Sequence, residues 1–201
     1  MDYLLLGFFT GLSLILAIGA QNIFVIEQGL KKNYIFIVCL ICSISDFLLI
    51  FLGIFLFQYL NKFFTPIIEL VFNILLFLFL LHFILGKIRS KVTEESFTVD
   101  NKKNNLPSII VKTLSFTFLN PHVYSDTVFF LGNFSKGLSL IDKYYFGIGA
   151  TISSFIFFFF IGYLSKYFSK YLKSVKTWKR INFIIIIFMS VLAFKVLTEI
   201  I

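Results

Sequence analysis

The chain has 201 residues, 59% of them hydrophobic and 14% charged, with a net charge of +8, whereas soluble domains carry about a quarter charged residues. A domain of this length has too little interior to hide so much apolar surface from water, which excludes a soluble globular protein and leaves a lipid bilayer as its solvent. The same figures exclude a charged, disordered chain. The basic residues sit in short gaps between apolar runs, a topology signal that argues against nucleic acid as a partner.

A spanning helix needs about 20 mostly apolar residues. Six segments meet this, at about 3–26, 34–57, 66–85, 109–134, 144–164 and 181–201. They predict an all-α integral membrane protein, one domain over 1–201 with six transmembrane helices and a linker at about 86–108. The first segment is expected to stay as a span rather than serve as a signal peptide, since it lacks a basic n-region and its apolar run is too long. The gaps fall alternately on two sides. One side carries Lys31, Lys32, Lys87, Arg89, Lys91, Lys102, Lys103, Lys166, Lys170, Lys173, Lys176, Lys179 and Arg180, and the other only Lys62, Lys136 and Lys143. The positive-inside rule then makes the first side cytoplasmic and turns both termini outward. The Lys-rich stretch 166–180 serves topology and can also contact anionic lipid. The linker divides the chain into two sets of three spans. Three is odd, so related halves would insert in opposite orientation, as a 3+3 inverted repeat with interrupted first and fourth helices.

In the first span, Gly7 and Gly11 form a small-xxx-small pair suited to close helix packing, within the chain or in a homo-oligomer. Ala17-Ile18-Gly19-Ala20-Gln21-Asn22 then places a glycine and two amides in an apolar segment. In the second, Cys39 and Cys42 are too few for a disulfide framework or a zinc site and read as small apolar fillers, so no metal or cofactor is implied. Asp46 lies mid-span, where a carboxylate costs several kcal/mol unless paired, hydrated or protonated, so it faces a cavity or locks two helices together. In the third, Glu69 can reach the interface, and Asn73 and His82 project to opposite sides, which suggests separate bonds between helices.

The fourth span is interrupted at Leu119-Asn120-Pro121-His122-Val123-Tyr124, where proline removes a backbone donor. If the helix resumes after Pro121, Asp126 shares a face with His122, and Ser115 and Asn133 extend it into one polar stripe. Gly147, Thr151 and Ser154 line one side of the fifth span, and Lys195 and Glu199 are spaced to pair near the outer end of the sixth. The 30 phenylalanines read as compositional bias and receive no functional weight. Paired interruptions in two halves are either ordinary kinks or the mark of a transport site, where a cavity satisfies the freed backbone. No Gly-x-x-x-x-Gly-Lys-[Ser/Thr] run for ATP hydrolysis is present, and two membrane acids without a lysine at the same depth suit a cationic substrate, a proton, or both.

At these residues the chain resembles the lysine/arginine exporter (LysE type) family. The matching stretches are Gly19-Ala20-Gln21-Asn22-Ile23-Phe24-Val25 with Gln28-Gly29, Ile44-Ser45-Asp46, and Thr117-Phe118-Leu119-Asn120-Pro121-His122-Val123-Tyr124-Ser125-Asp126-Thr127. The run from Asn120 to Thr127 looks like the basic amino acid branch. The resemblance implies six membrane helices in a bacterial cytoplasmic membrane and export of arginine or lysine driven by the membrane's ion gradients, with a small-molecule substrate and the bilayer as partners. It puts Gln21, Asn22, Asp46, Asn120, His122 and Asp126 on motif positions for substrate binding or proton coupling, and Gly19 and Pro121 at the helix breaks. The family has prolines where this chain has Ala17 and Ala20, so the first break rests on Gly19. Export of neutral amino acids or of a metal cation stays open. An intramembrane aspartyl protease also uses two aspartates, but Ser43-Ile44-Ser45 and Val123-Tyr124-Ser125 stand where it would carry Gly-x-Gly.

Overall fold

The computed structural model describes residues 2–16, 19–63, 65–89, 105–120, 123–171 and 175–200. They form helices α1 (Asp2–Ile15), α2 (Ala20–Lys31), α3 (Ile35–Phe63), α4 (Pro66–Arg89) and α5 (Leu106–Phe118). A π-helical segment (Tyr124–Phe130) runs on into α6 (Leu131–Ser135), followed by α7 (Leu140–Phe168), a short 3₁₀ turn and α8 (Val175–Ile200). Among the described residues there is no strand. Most of the predicted linker lies outside them.

Among the described residues, four helical stretches are long and apolar enough to cross a membrane, Ile35–Phe57, Pro66–Arg89, Leu140–Phe168 and Lys179–Thr198; α1 and α2, bent by 82°, make a fifth if taken as one span. α5 has 13 residues, about 20 Å at 1.5 Å per residue, short of a hydrocarbon core of about 30 Å. Both predicted interruptions therefore appear as helix ends. α3 and α4 run past their predicted ends and α7 begins before its predicted start, the last because a local signal outside the apolar run opens it early. Ser139 caps α7, its Oγ accepting from the Asp142 N–H at 3.3 Å and donating to Asp142 Oδ2 at 2.6 Å. Thr65 and Pro66 open α4 in the same way, with Thr65 Oγ1 accepting from the Ile68 N–H.

The surface is the reverse of a soluble protein's. Ile67 is 73% exposed and Phe194 67%, and Phe9, Phe160, Phe183 and Val191 are exposed with them. Contiguous apolar surface on that scale is stable only against lipid, so the chain is a multi-pass membrane protein. Inside, small residues let backbones touch. α1 lies along α7, and a Cβ on Gly7 would overlap the Phe146 carbonyl and one on Gly149 the Leu4 carbonyl. Gly11 sits against Ala150 and Ser153, where a Cβ would come within 2.7 Å of the Ser153 Oγ. The small side of α7 meets α3, with Gly147 against Phe51 and Ile54 and Ser154 against Asp46. Cys39 and Cys42 are free and buried, and Cys39 Sγ donates to the Phe158 carbonyl at 3.2 Å.

Candidate functional site

The two interruptions meet. A Cβ on Gly19 would lie 4.0 Å from Asn120 Nδ2, so the gap before α2 and the gap after α5 face each other. Each gap is bridged by the same chemistry, because the last carbonyls of a helix have no partner within it. Asn22 Nδ2, on α2, donates to the Ile15 carbonyl at the end of α1 at 3.1 Å. Tyr124 Oη donates to the Phe118 carbonyl at the end of α5 at 2.9 Å. Gly19 is extended and its carbonyl accepts from the Ile23 N–H; the Asn120 carbonyl accepts from the Val123 N–H.

Around this meeting point lies a cavity of about 340 Å³ lined by Gly19, Gln21, Asn22, Asp46, Asn120 and Asp126, with an apolar wall that includes Ile50, Leu76, Leu80 and Phe158. The structure thus brings together every predicted site residue that it describes. Pro121 and His122 lie outside the described residues. Asp46 is buried and its Oδ2 accepts from Ser154 Oγ at 2.7 Å, a bond from α7 to α3. Gln21, on the cavity wall, has a buried Nε2 with no hydrogen-bond partner among the described residues.

Two expectations change. The predicted stripe does not run as one line. Asp126 lines the cavity, but Ser115 is half-buried and Asn133 is exposed, since the π-helical segment Tyr124–Phe130 closes i→i+5 bonds and shifts the helical phase between Asp126 and Asn133. Lys195, read as half of a structural pair with Glu199, lines the same cavity as the two aspartates. The two aspartates therefore share their cavity with a lysine, brought there by α8 rather than by their own helices. The side chain of Glu199 lies outside the described residues.

A cluster of phenylalanines adjoins the cavity on the side of the lysine-rich ends. Phe116 of α5 packs on Phe79 at 4.7 Å between ring centroids, Phe24 at 4.9 Å and Phe83 at 5.1 Å. Along α2 the order is Gln21 and Asn22 in the cavity, then Phe24, then Glu27; along α4 it is Leu76, then Phe79 and Phe83, then Lys87. Along both helices the rings thus stand between the residues of this cavity and the lysine-rich ends, a placement that composition alone concealed.

Residues 12–200 match the family described as LysE type translocator. The Arginine exporter protein ArgO of Salmonella enteritidis PT4 (strain P125109) and that of Salmonella gallinarum (strain 287/91 / NCTC 13346) are each 31% identical to this chain over 201 residues, which cover 99% of it and 95% of the relative. No solved structure matches. A family of translocators sets aside the protease chemistry that two membrane aspartates could have served. The match takes in both interruptions and both aspartates, and the chain belongs to the LysE type translocator family.

Proposed function

We propose that this protein exports a basic L-amino acid, arginine or lysine, across the bacterial cytoplasmic membrane. The observation that carries this reading is the cavity where Asp46 and Asp126 meet at two broken helices. The carboxylates suit the side-chain cation and the α-ammonium group, and Gln21 Nε2 and Lys195 suit the α-carboxylate. The relatives named as arginine exporters carry the same inference.

Six membrane passes and a 3+3 inverted repeat belong to the same reading. Residue order supports them. α5 runs from Ile109 and Lys112 at the lysine-rich end to Asn120 at the cavity, and Tyr124–Ser135 continues along the cavity wall through Asp126, Thr127 and Leu131, so α5 and α6 complete one interrupted pass. The matching bridges, Asn22 to Ile15 and Tyr124 to Phe118, sit at corresponding places in the two halves. The ends that carry Lys31, Lys87 and Lys179 are cytoplasmic by charge.

Moving a cation out of a cell that is negative inside costs about 2.3 kcal/mol per charge per 100 mV. Exchange for an incoming proton removes that cost, and an aspartate that binds either the substrate cation or a proton is the simplest exchanger. Proteoliposomes preloaded with labelled arginine, lysine and leucine test this under imposed pH gradients. Arginine and lysine should leave faster when the outside is acidic. Retention of both, or leucine leaving at the same rate, would overturn the reading.

A further inference from the structure

On the far side of the phenylalanines lies a second cavity, of about 350 Å³, between the lysine-rich ends of α2, α4, α5 and α8. At its wall Glu27 of α2 is 2% exposed, and its Oε1 is held by two ammonium groups at 2.5 Å, Lys31 of the same helix and Lys87 of α4. Lys87 also donates to Asn182 Oδ1 of α8 at 3.4 Å, so it ties three helices at one point. Glu27 Oε2 is buried with no hydrogen-bond partner among the described residues. Lys112 lines the same cavity, which thus holds three lysines and one carboxylate, two of the lysines in contact with it.

We propose that this vestibule is a second substrate site, in which the cationic side chain of a basic amino acid takes the place of Lys87 on Glu27 while the spare lysines hold its α-carboxylate. The inference rests on the export reading above and adds the step at which cytoplasmic substrate is first engaged. A buried carboxylate must keep a cation, and losing one partner is strongly unfavourable. Exchanging one cation for another avoids that loss. Lys87, once displaced, no longer joins α2 to α4 and α8, and the phenylalanines carried by α2 and α4 are free to part. Substrate thereby loosens the end of the molecule through which it must pass.

The pair is tested by the direction in which its two halves move transport. Uptake of labelled L-arginine into inverted membrane vesicles presents substrate to the cytoplasmic face. Glu27→Gln removes the carboxylate and should raise KM about tenfold more than it lowers kcat, with Glu27→Asp recovering most of the loss. Lys87→Met keeps the apolar stem but removes the competing cation, and should lower KM. A merely structural ion pair predicts that the two variants behave alike. If KM rises or stays unchanged in Lys87→Met, the vestibule site is overturned, and that variant decides alone should Glu27→Gln fail to accumulate. A wild-type protein that transports neither arginine nor lysine would instead overturn the export reading itself.

Discussion

Asp46→Asn isolates the charge that the cavity offers. Asp46 is 3% exposed, and its Oδ2 accepts the Ser154 hydroxyl at 2.7 Å. Asparagine has nearly the same shape and keeps an amide oxygen for that hydroxyl, so the α3 to α7 contact survives. A neutral hydrogen bond replaces a charged one, a change of about 1 kcal/mol in stability. A bound cation loses far more. Hydrogen bonds to a charged group contribute about 1.5–3 kcal/mol, which corresponds to about a 10- to 150-fold fall in kcat/KM for arginine. Ser154→Ala, which keeps the charge and removes only the donor, should fall between the two proteins. The assay is arginine counterflow in proteoliposomes, with thermal unfolding of the purified protein as the control for folding. Wild-type kcat/KM in a folded Asp46→Asn protein would refute the assignment of this carboxylate to the substrate.

The packing makes its own demands. Gly149→Val drives a side chain into the Leu4 carbonyl and should cost 1–3 kcal/mol or more, seen as a lowered melting temperature, whereas Gly137→Ala meets nothing within 4 Å and should stay within about 0.5 kcal/mol of wild type. Tyr124→Phe removes the hydroxyl that bridges the second interruption; it should destabilise by about 1 kcal/mol and slow arginine efflux, measured side by side. Phe116→Ala empties the centre of the aromatic cluster and should cost about 3–5 kcal/mol. It should also let arginine leak without a driving gradient, because it opens space in the aromatic layer between the cavity residues and the lysine-rich ends.

The interruptions and the two aspartates were legible because each violates the apolar rule of its own segment. Gly19, Gln21, Asn22 and Asn120 are out of place in lipid, and Asp46 and Asp126 more so; a cavity is where the fold puts such residues. What lay hidden depends on contacts between distant segments. Ser154 reads as a packing residue until α7 sets it against Asp46, 108 residues away. Lys195 reads as a snorkelling surface lysine until α8 turns it toward the cavity. Glu27 and Lys87 lie 60 residues apart at the ends of two helices, where charge is ordinary, and only their shared burial singles them out. Among 30 phenylalanines nothing local distinguishes Phe24, Phe79, Phe83 and Phe116. The phase shift between Asp126 and Asn133 comes from a π-helical segment that no spacing rule anticipates.

The most direct test is equilibrium binding of labelled L-arginine to the purified protein, with and without the Asp46→Asn, Asp126→Asn double substitution. The wild type should bind saturably, lysine should compete, leucine should not, and the double variant should lose most of the affinity while still folded. Undiminished binding by the folded double variant, or full competition by leucine, would contradict a cavity built to hold a basic amino acid between two aspartates.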